Sequence, residues 1–299
     1  MNHETEPRRD TDSQAEGVAR PPLPGPGVAG SGDALTPGAR SGQLAQLTLA
    51  VTFLTGIPLP VRSEATPADL WRSMAWYPLV GLALGAAAWG LYSGLLVVLP
   101  GLVAAALVMA ALELVTRGLH MDGLMDTADG LLSGAPRERA LEIMKDSHAG
   151  ALGVLAAIFV VVLKVAALGA LSRADAAAPL LAGWAAARAL PPLGVYLWPY
   201  ARPEGTGAAF TRERTPGPVL VALGFLAVAL VVSAAVATTL GAAAGWWAPL
   251  VVVGAGMGAT LGLQALIARR LGGLTGDVYG MGVQVAEVAA LVVGCAVVA

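Results

Sequence analysis

The sequence predicts an all-α, polytopic integral membrane protein, a bundle of about six to eight membrane helices, and three observations carry that expectation. Hydrophobic residues make up 56% of the 299-residue chain and charged ones only 13%, against about 25% charged in an ordinary soluble domain. Apolar runs close to the length that crosses about 30 Å of hydrocarbon recur along the chain. Gly and Ala dominate those runs, which suits close helix–helix approach where lipid supplies no hydrophobic drive. A net charge of -2 points to neither an acidic partner nor nucleic acid. One cysteine, Cys295, lies in the last apolar run, so an intrachain disulfide and a Cys-based zinc site are both excluded.

Residues 1–43 are expected to form a disordered N-terminal tail, and 44–299 a single membrane-embedded catalytic domain. The tail is rich in Pro, Gly, Ser and charge, as in Pro21-Pro22-Leu23-Pro24-Gly25-Pro26-Gly27; it cannot bury enough apolar surface to offset its ordering entropy. It has no apolar segment near Met1 and is no signal peptide. The run 44–60 is apolar but short and ends in Ile57-Pro58-Leu59-Pro60, so it reads equally as a short span or an interfacial helix. Spans are expected at about 76–99, 101–119, 149–171, 177–198, 218–240 and 246–268, with a short final one near 283–299. The basic residues gather in four segments, at Arg62 and Arg72, from Arg117 to Lys145, from Arg202 to Arg214, and at Arg269 and Arg270. The positive-inside rule places all four in the cytoplasm, and the 172–176 and 241–246 turns outside.

The chemistry is concentrated in one cytoplasmic segment. Of 20 acidic residues, six lie between Asp122 and Asp146. On a helix, Asp122, Asp126 and Asp129 fall at i, i+4 and i+7 and put three carboxylates on one face. Like charges so spaced repel unless a cation sits between them, and hard carboxylate oxygens suit Mg²⁺ or Mn²⁺. A second set, Glu138, Glu142 and Asp146, again steps by four, with Lys145 alongside. A carboxylate-held metal with Lys and Arg nearby supplies the parts for phosphoryl transfer; a charged loop without chemistry is the plain alternative. Gly272-Gly273-Leu274-Thr275-Gly276-Asp277 is either a turn that offers backbone N–H groups to a phosphate or a simple interhelical turn. Glu113, Lys164, Arg188 and Glu287 fall inside expected spans, where charge defaults to a functional or paired role. Glu113, four residues before Arg117, has the spacing of an ordinary ion pair. His120 reads as a metal ligand or, more plainly, as a hydrogen-bonding residue at a helix end.

The string His120-Met121-Asp122-Gly123-Leu124-Met125-Asp126-Thr127-Ala128-Asp129-Gly130, followed by Leu141-Glu142-Ile143-Met144-Lys145-Asp146-Ser147, closely resembles the cobalamin synthase family, the adenosylcobinamide-GDP ribazoletransferases. Phe53-Leu54-Thr55-Gly56-Ile57-Pro58-Leu59-Pro60, Tyr200-Ala201-Arg202-Pro203-Glu204-Gly205 and Leu271-Gly272-Gly273-Leu274-Thr275-Gly276-Asp277 resemble three further motifs of that family. The likeness runs in order over residues 44–299 and leaves the tail without a counterpart.

The resemblance implies the last assembly step of adenosylcobalamin. The α-ribazole hydroxyl (or that of its 5′-phosphate) attacks the corrinoid-side phosphorus of adenosylcobinamide-GDP, and GMP departs. It also implies a Mg²⁺ cofactor and a multi-pass enzyme of the bacterial cytoplasmic membrane with its site facing the cytoplasm. The catalytic candidates are Asp122, Asp126, Asp129, Glu142 and Asp146, with Asp122, Asp126, Asp129 and Asp146 as metal ligands. Substrate contacts are expected from Lys145, Ser147, Arg202, Thr275, Asp277 and His120. The partners are then the two substrates and the lipid bilayer, with room for a homo-oligomer and none for nucleic acid. Three positions depart from the family pattern: His148 and Gly56 stand where Arg is usual, and Gln284 where Glu is common. Asp126-x-x-Asp129-Gly130 also echoes the CDP-alcohol phosphotransferases, but the Ala-Arg expected after the first Gly is missing. A transporter would carry its acidic residues near the bilayer midplane.

Overall fold

The computed structural model describes residues 42–60, 65–202 and 214–299. The expected disordered tail lies outside them, apart from Gly42 and Gln43. Every regular element among the described residues is helical, as the composition requires in a medium where backbone groups must be satisfied within their own segment. Helix α1 (Gln43–Leu54) has 12 residues, about 18 Å of rise, too short to cross. Helix α2 (Pro67–Ser73) starts at a capping box in which Thr66 and Asp69 satisfy each other's backbone N–H. It continues through a 3₁₀ turn into α3 (Tyr77–Leu95).

Next come α4 (Gly101–Val115), α5 (Leu119–Leu132), the short α6 (Arg137–Ile143) and α7 (Ala151–Ala170). A π-helical turn at Ala178–Gly183 leads into α8 (Trp184–Leu197), and α9 (Pro216–Thr239), α10 (Ala248–Leu271) and α11 (Gly276–Ala296) complete the chain. Among the described residues, five segments are long and apolar enough to cross a membrane: Pro67–Leu95, α7, α9, Gly245–Leu271 and α11. The α4–α5 pair, bent by 90°, is a sixth only if counted as one span. The last helix is longer than the expected 283–299 span. Its start, Thr275-Gly276-Asp277, has the composition of a turn, but the Thr275 hydroxyl accepts the Val278 N–H and caps it as a helix.

The expected 177–198 span is the central post of the bundle, buried continuously from Ala176 to Pro192. Small residues bring its neighbours onto it. A Cβ at Gly81 would lie 2.5 Å from the Trp184 carbonyl oxygen, and one at Gly85 would collide with the Leu180 carbonyl, so α3 touches the π turn backbone to backbone through a small-x-x-x-small pair. Gly101 and Gly169 do the same for α4 against α7.

The two turns expected on one side do meet, since Asp175 accepts the Ala243 N–H at 2.8 Å. Three of the four basic segments meet among the described residues, with Arg62 and Arg212 lying outside those residues. Arg137 Nε donates to the Leu271 carbonyl at 2.7 Å, and Arg270 donates to the Leu131 and Ala135 carbonyls at 3.0 and 3.2 Å.

Candidate active site

The site begins at a break in the chain. After α4, Arg117 (φ 53°) and Gly118 (φ 64°) turn left-handed, and their N–H groups return to the Leu114 and Glu113 carbonyls at 3.2 and 2.9 Å. This is a Schellman stop with Arg in the place that Gly usually fills, at a cost of roughly 1–2 kcal/mol. The loop after α1 holds it: Gly56 N–H donates to the Val115 carbonyl, and a Cβ on Gly56 would press on the Arg117 side chain at 2.9 Å. A larger residue at position 56 would require the exposed Arg117 side chain to move. The result is that α5 runs across the bundle's end rather than through it, against the first turns of α7 and α11.

Close approach decides which residues flank the three aspartates. A Cβ on Gly123 would lie 2.7 Å from the Asp277 carbonyl and 3.2 Å from Gly280 Cα, so α5 and α11 cross backbone to backbone, and Asp277 arrives beside Asp122. Two distant motifs meet here. Ala201 N–H donates to the Leu274 carbonyl at 2.8 Å and Leu274 N–H to the Pro199 carbonyl at 2.9 Å, a single β-bridge between Tyr200 and Leu274. A side chain on Gly273 would strike the Pro199 carbonyl. That bridge sets Arg202 Nη2 3.0 Å from Asp277 Oδ2, and Thr275 Oγ1 donates to the same carboxylate at 3.2 Å. The buried Nε of Arg202 has no hydrogen-bond partner among the described residues. Gly205 lies outside them.

The structure divides the remaining candidates. Asp122 is exposed and Asp126 half-buried. Asp129 is committed structurally: its two oxygens accept the Gly150 and Gly153 N–H groups, each at 2.8 Å, and cap the start of α7. Glycine is required at both places, since a Cβ on either would run into the Asp129 carboxylate. The second acidic set does not share one helix face, because α6 ends at Ile143. Glu138 pairs with Arg137 at 3.3 Å and Glu142 with Arg139 at 3.0 Å. Asp146 accepts from His148 at 2.6 Å, which holds its carboxyl below the usual range. Lys145, Asp146 and Ser147 are all exposed, in the turn that leads to Gly150.

Electrostatics single out Asp126. Burial raises its carboxyl first, and the negative charges of Asp122, Asp277 and Asp129 raise it further, up to about 7, with Arg202 opposing. Glu142 and Asp146 do not figure among its perturbers. The carboxylates whose charges bear on Asp126 are therefore Asp122, Asp277 and Asp129.

The family model described as cobalamin-5-phosphate synthase matches residues 46–295. The chain belongs to the cobalamin-5-phosphate synthase family. It is 39% identical over 250 residues to the adenosylcobinamide-GDP ribazoletransferase of Desulfitobacterium hafniense (strain Y51), covering 81% of this chain and 93% of the relative. The protein of that name from Syntrophobacter fumaroxidans (strain DSM 10017 / MPOB) is 41% identical over 246 residues, 80% of this chain and 93% of its own. The one from Brevibacillus brevis (strain 47 / JCM 6285 / NBRC 100599) is 36% identical over 250 residues, 82% and 95%. No solved structure matches.

In this member of the family two further features adjoin the aspartates. One is a cleft of about 230 Å³ whose lining includes Phe53, Met74, Tyr77, His120, Asp122, Asp277 and Tyr279. The other is a buried charge network behind it. Glu287 on α11 receives both Lys164 from α7 and Arg188 from α8. Gln284 accepts from Lys164 and donates to Glu113 at 3.0 Å, and Lys164 Nζ stands 3.8 Å from Glu113 and 5.8 Å from the Trp184 ring centre. Glu113 is thus tied to α7 and α11 rather than to Arg117, which corrects the local ion pair suggested by spacing. The α4 stop turns Arg117 away toward Gly56. Two acids balance two bases here, the condition for burying charge in a membrane. Buried His120 lines both the cleft and the small chamber at the network. The cleft aromatics were not legible as site residues; their only signals were Phe53 opening a family-like motif and Tyr279 standing two residues after Asp277.

Proposed function

We propose that the chain is an adenosylcobinamide-GDP ribazoletransferase. It joins adenosylcobinamide-GDP to α-ribazole, or to its 5′-phosphate, with release of GMP, at the cytoplasmic face of a bacterial cytoplasmic membrane. The single observation that carries this reading is the meeting of three separated motifs in one region of the bundle: Asp122 and Asp126 on α5, Asp277 at the start of α11, and Arg202 delivered by the β-bridge. The names of the relatives at 36–41% identity supply the substrates, and the clustering of basic loops at the site's end of the bundle supplies the orientation.

The chemistry of the donor set fits Mg²⁺. Half-buried Asp126 is crowded by three other carboxylates, an excess of negative oxygen that a hard divalent cation relieves. Among the described residues no three such groups converge on one point as they stand, so holding the ion calls for rotamer changes at Asp122, Asp126 and Asp277. Asp129 would contribute least, because both its oxygens already serve α7. When bound, Mg²⁺ would neutralise charge on the phosphoryl oxygens. Arg202, with a buried Nε still to be satisfied, would fork onto the diphosphate, and exposed Lys145 would meet it as a point charge. The acceptor hydroxyl oxygen bonds to the corrinoid-side phosphorus, its proton leaves, and the bridging P–O bond breaks with its electron pair going to GMP.

The test is GMP release by the purified chain in proteoliposomes given adenosylcobinamide-GDP and α-ribazole, with and without Mg²⁺. Release that needs both substrates and Mg²⁺ is expected. Activity untouched by chelation would overturn the metal assignment, and no release under any condition would overturn the reaction.

A further inference from the structure

Resting on that reaction, we infer that the 230 Å³ cleft beside Asp122 and Asp277 receives the heterocyclic base of the acceptor, with the ribose beside those two aspartates. The cleft is built from α1, the α2–α3 junction, α5, α8 and α11. Much of its lining is carbon: Phe53 stacks on Tyr77 (ring centres 6.0 Å apart, planes 13° from parallel), and Met74, Leu54 and Pro191 join them. The polar part of the lining is His120, Asp122 and Asp277. A ligand that fills it is flat and apolar in one part and hydroxylated in another.

Size narrows the choice. A dry cavity of about 150 Å³ is known to take a benzene ring. Scaled by volume, 230 Å³ suits about nine ring atoms, the fused rings of a benzimidazole. A corrin macrocycle is far larger and fringed with amides. The guanine edge would leave several donors and acceptors without partners against Leu, Met and Phe, a costly burial. The lining also holds the buried hydroxyl of Tyr279, which has no hydrogen-bond partner among the described residues. An azole nitrogen can accept from such a group, and an acyl chain cannot. With the base inserted, the ribose hydroxyls emerge beside Asp122 and Asp277, where the diphosphate is held by Arg202.

The test is a two-substrate kinetic series in proteoliposomes. Phe53→Ala, with Phe53→Leu as a milder partner, removes stacking area, and Met74→Ala enlarges the cleft. The apparent KM for α-ribazole should rise on the order of tenfold in Phe53→Ala, while that for adenosylcobinamide-GDP stays within about twofold, which also shows that the variant is folded. A ribonucleoside with a third fused ring should be a poor acceptor for the parent and a better one for Met74→Ala, a gain that loss of packing alone does not produce. If the acceptor KM is unchanged in every variant, the cleft belongs to a lipid chain or to nothing and the inference is wrong. It is equally wrong if both substrates weaken in parallel. A parent that releases no GMP at all overturns the transferase reading itself, and the base pocket with it.

Discussion

Asp129→Asn separates structure from chemistry among the three aspartates of α5. Spacing makes them equivalent, but Asp129 alone spends both oxygens on the N–H groups of Gly150 and Gly153, each at 2.8 Å. Asparagine keeps one acceptor oxygen and turns an NH₂ toward the other N–H. The loss is one charge-assisted hydrogen bond, about 1.5–3 kcal/mol, together with the carboxylate's attraction to the start of α7, about 0.3–1 kcal/mol. The sum, about 2–4 kcal/mol, corresponds to a midpoint shift of about 3–6 °C for a chain of this size. Thermal unfolding in detergent, followed by far-ultraviolet circular dichroism, measures it directly. Asp122→Asn is the control, since Asp122 is exposed and its loss should change stability by no more than about 0.5 kcal/mol. If Asp129→Asn unfolds at the same temperature as Asp122→Asn, the cap contributes nothing and the argument fails.

Asp122→Asn and Asp126→Asn should each lower turnover on the order of 100-fold, and the double variant by far less than the product; near-normal GMP release by Asp126→Asn at low Mg²⁺ would exclude a metal role. The Asp126 carboxyl sits up at about 7 against the usual 3.8, so in metal-free protein its contribution is fully present below pH ~3.8 and lost as pH rises through about 7. Parent and Asp126→Asn should then unfold together near pH 4, with the variant the more stable above pH 7 in chelator, and Mg²⁺ should stabilise only the parent. Glu287→Gln leaves Lys164 and Arg188 facing each other in the buried network and should cost about 3–5 kcal/mol. Replacing Glu287 and Lys164 together by Met should cost less than the sum of the singles in the same unfolding assay, and strict additivity would mean the pair is not coupled.

Much of this protein was determined by local composition. The apolar runs, the helical spacing of Asp122, Asp126 and Asp129, and the resemblance of the motifs at 53–60, 120–130, 141–147, 200–205 and 271–277 are all written in adjacent residues. Hydrocarbon leaves the backbone little choice but helix, so the class follows from hydropathy alone. What tertiary structure decided is which of these residues act together. Asp277 joins the aspartates because Gly123 lets α11 approach, and Arg202 joins because Gly273 lets one β-bridge close across more than seventy residues of chain. Asp129 caps the start of α7, Glu142 pairs with Arg139 within α6, and Asp146 meets His148 in the turn after α6 stops at Ile143. Glu113 abandons the neighbour four residues away for Lys164 and Gln284 on other helices. The pairings of Asp277, Arg202, Asp129 and Glu113 have no local period that sequence can display. Each depends on backbones meeting at a glycine or on buried charges finding the nearest opposite charge, and both are properties of the packed bundle.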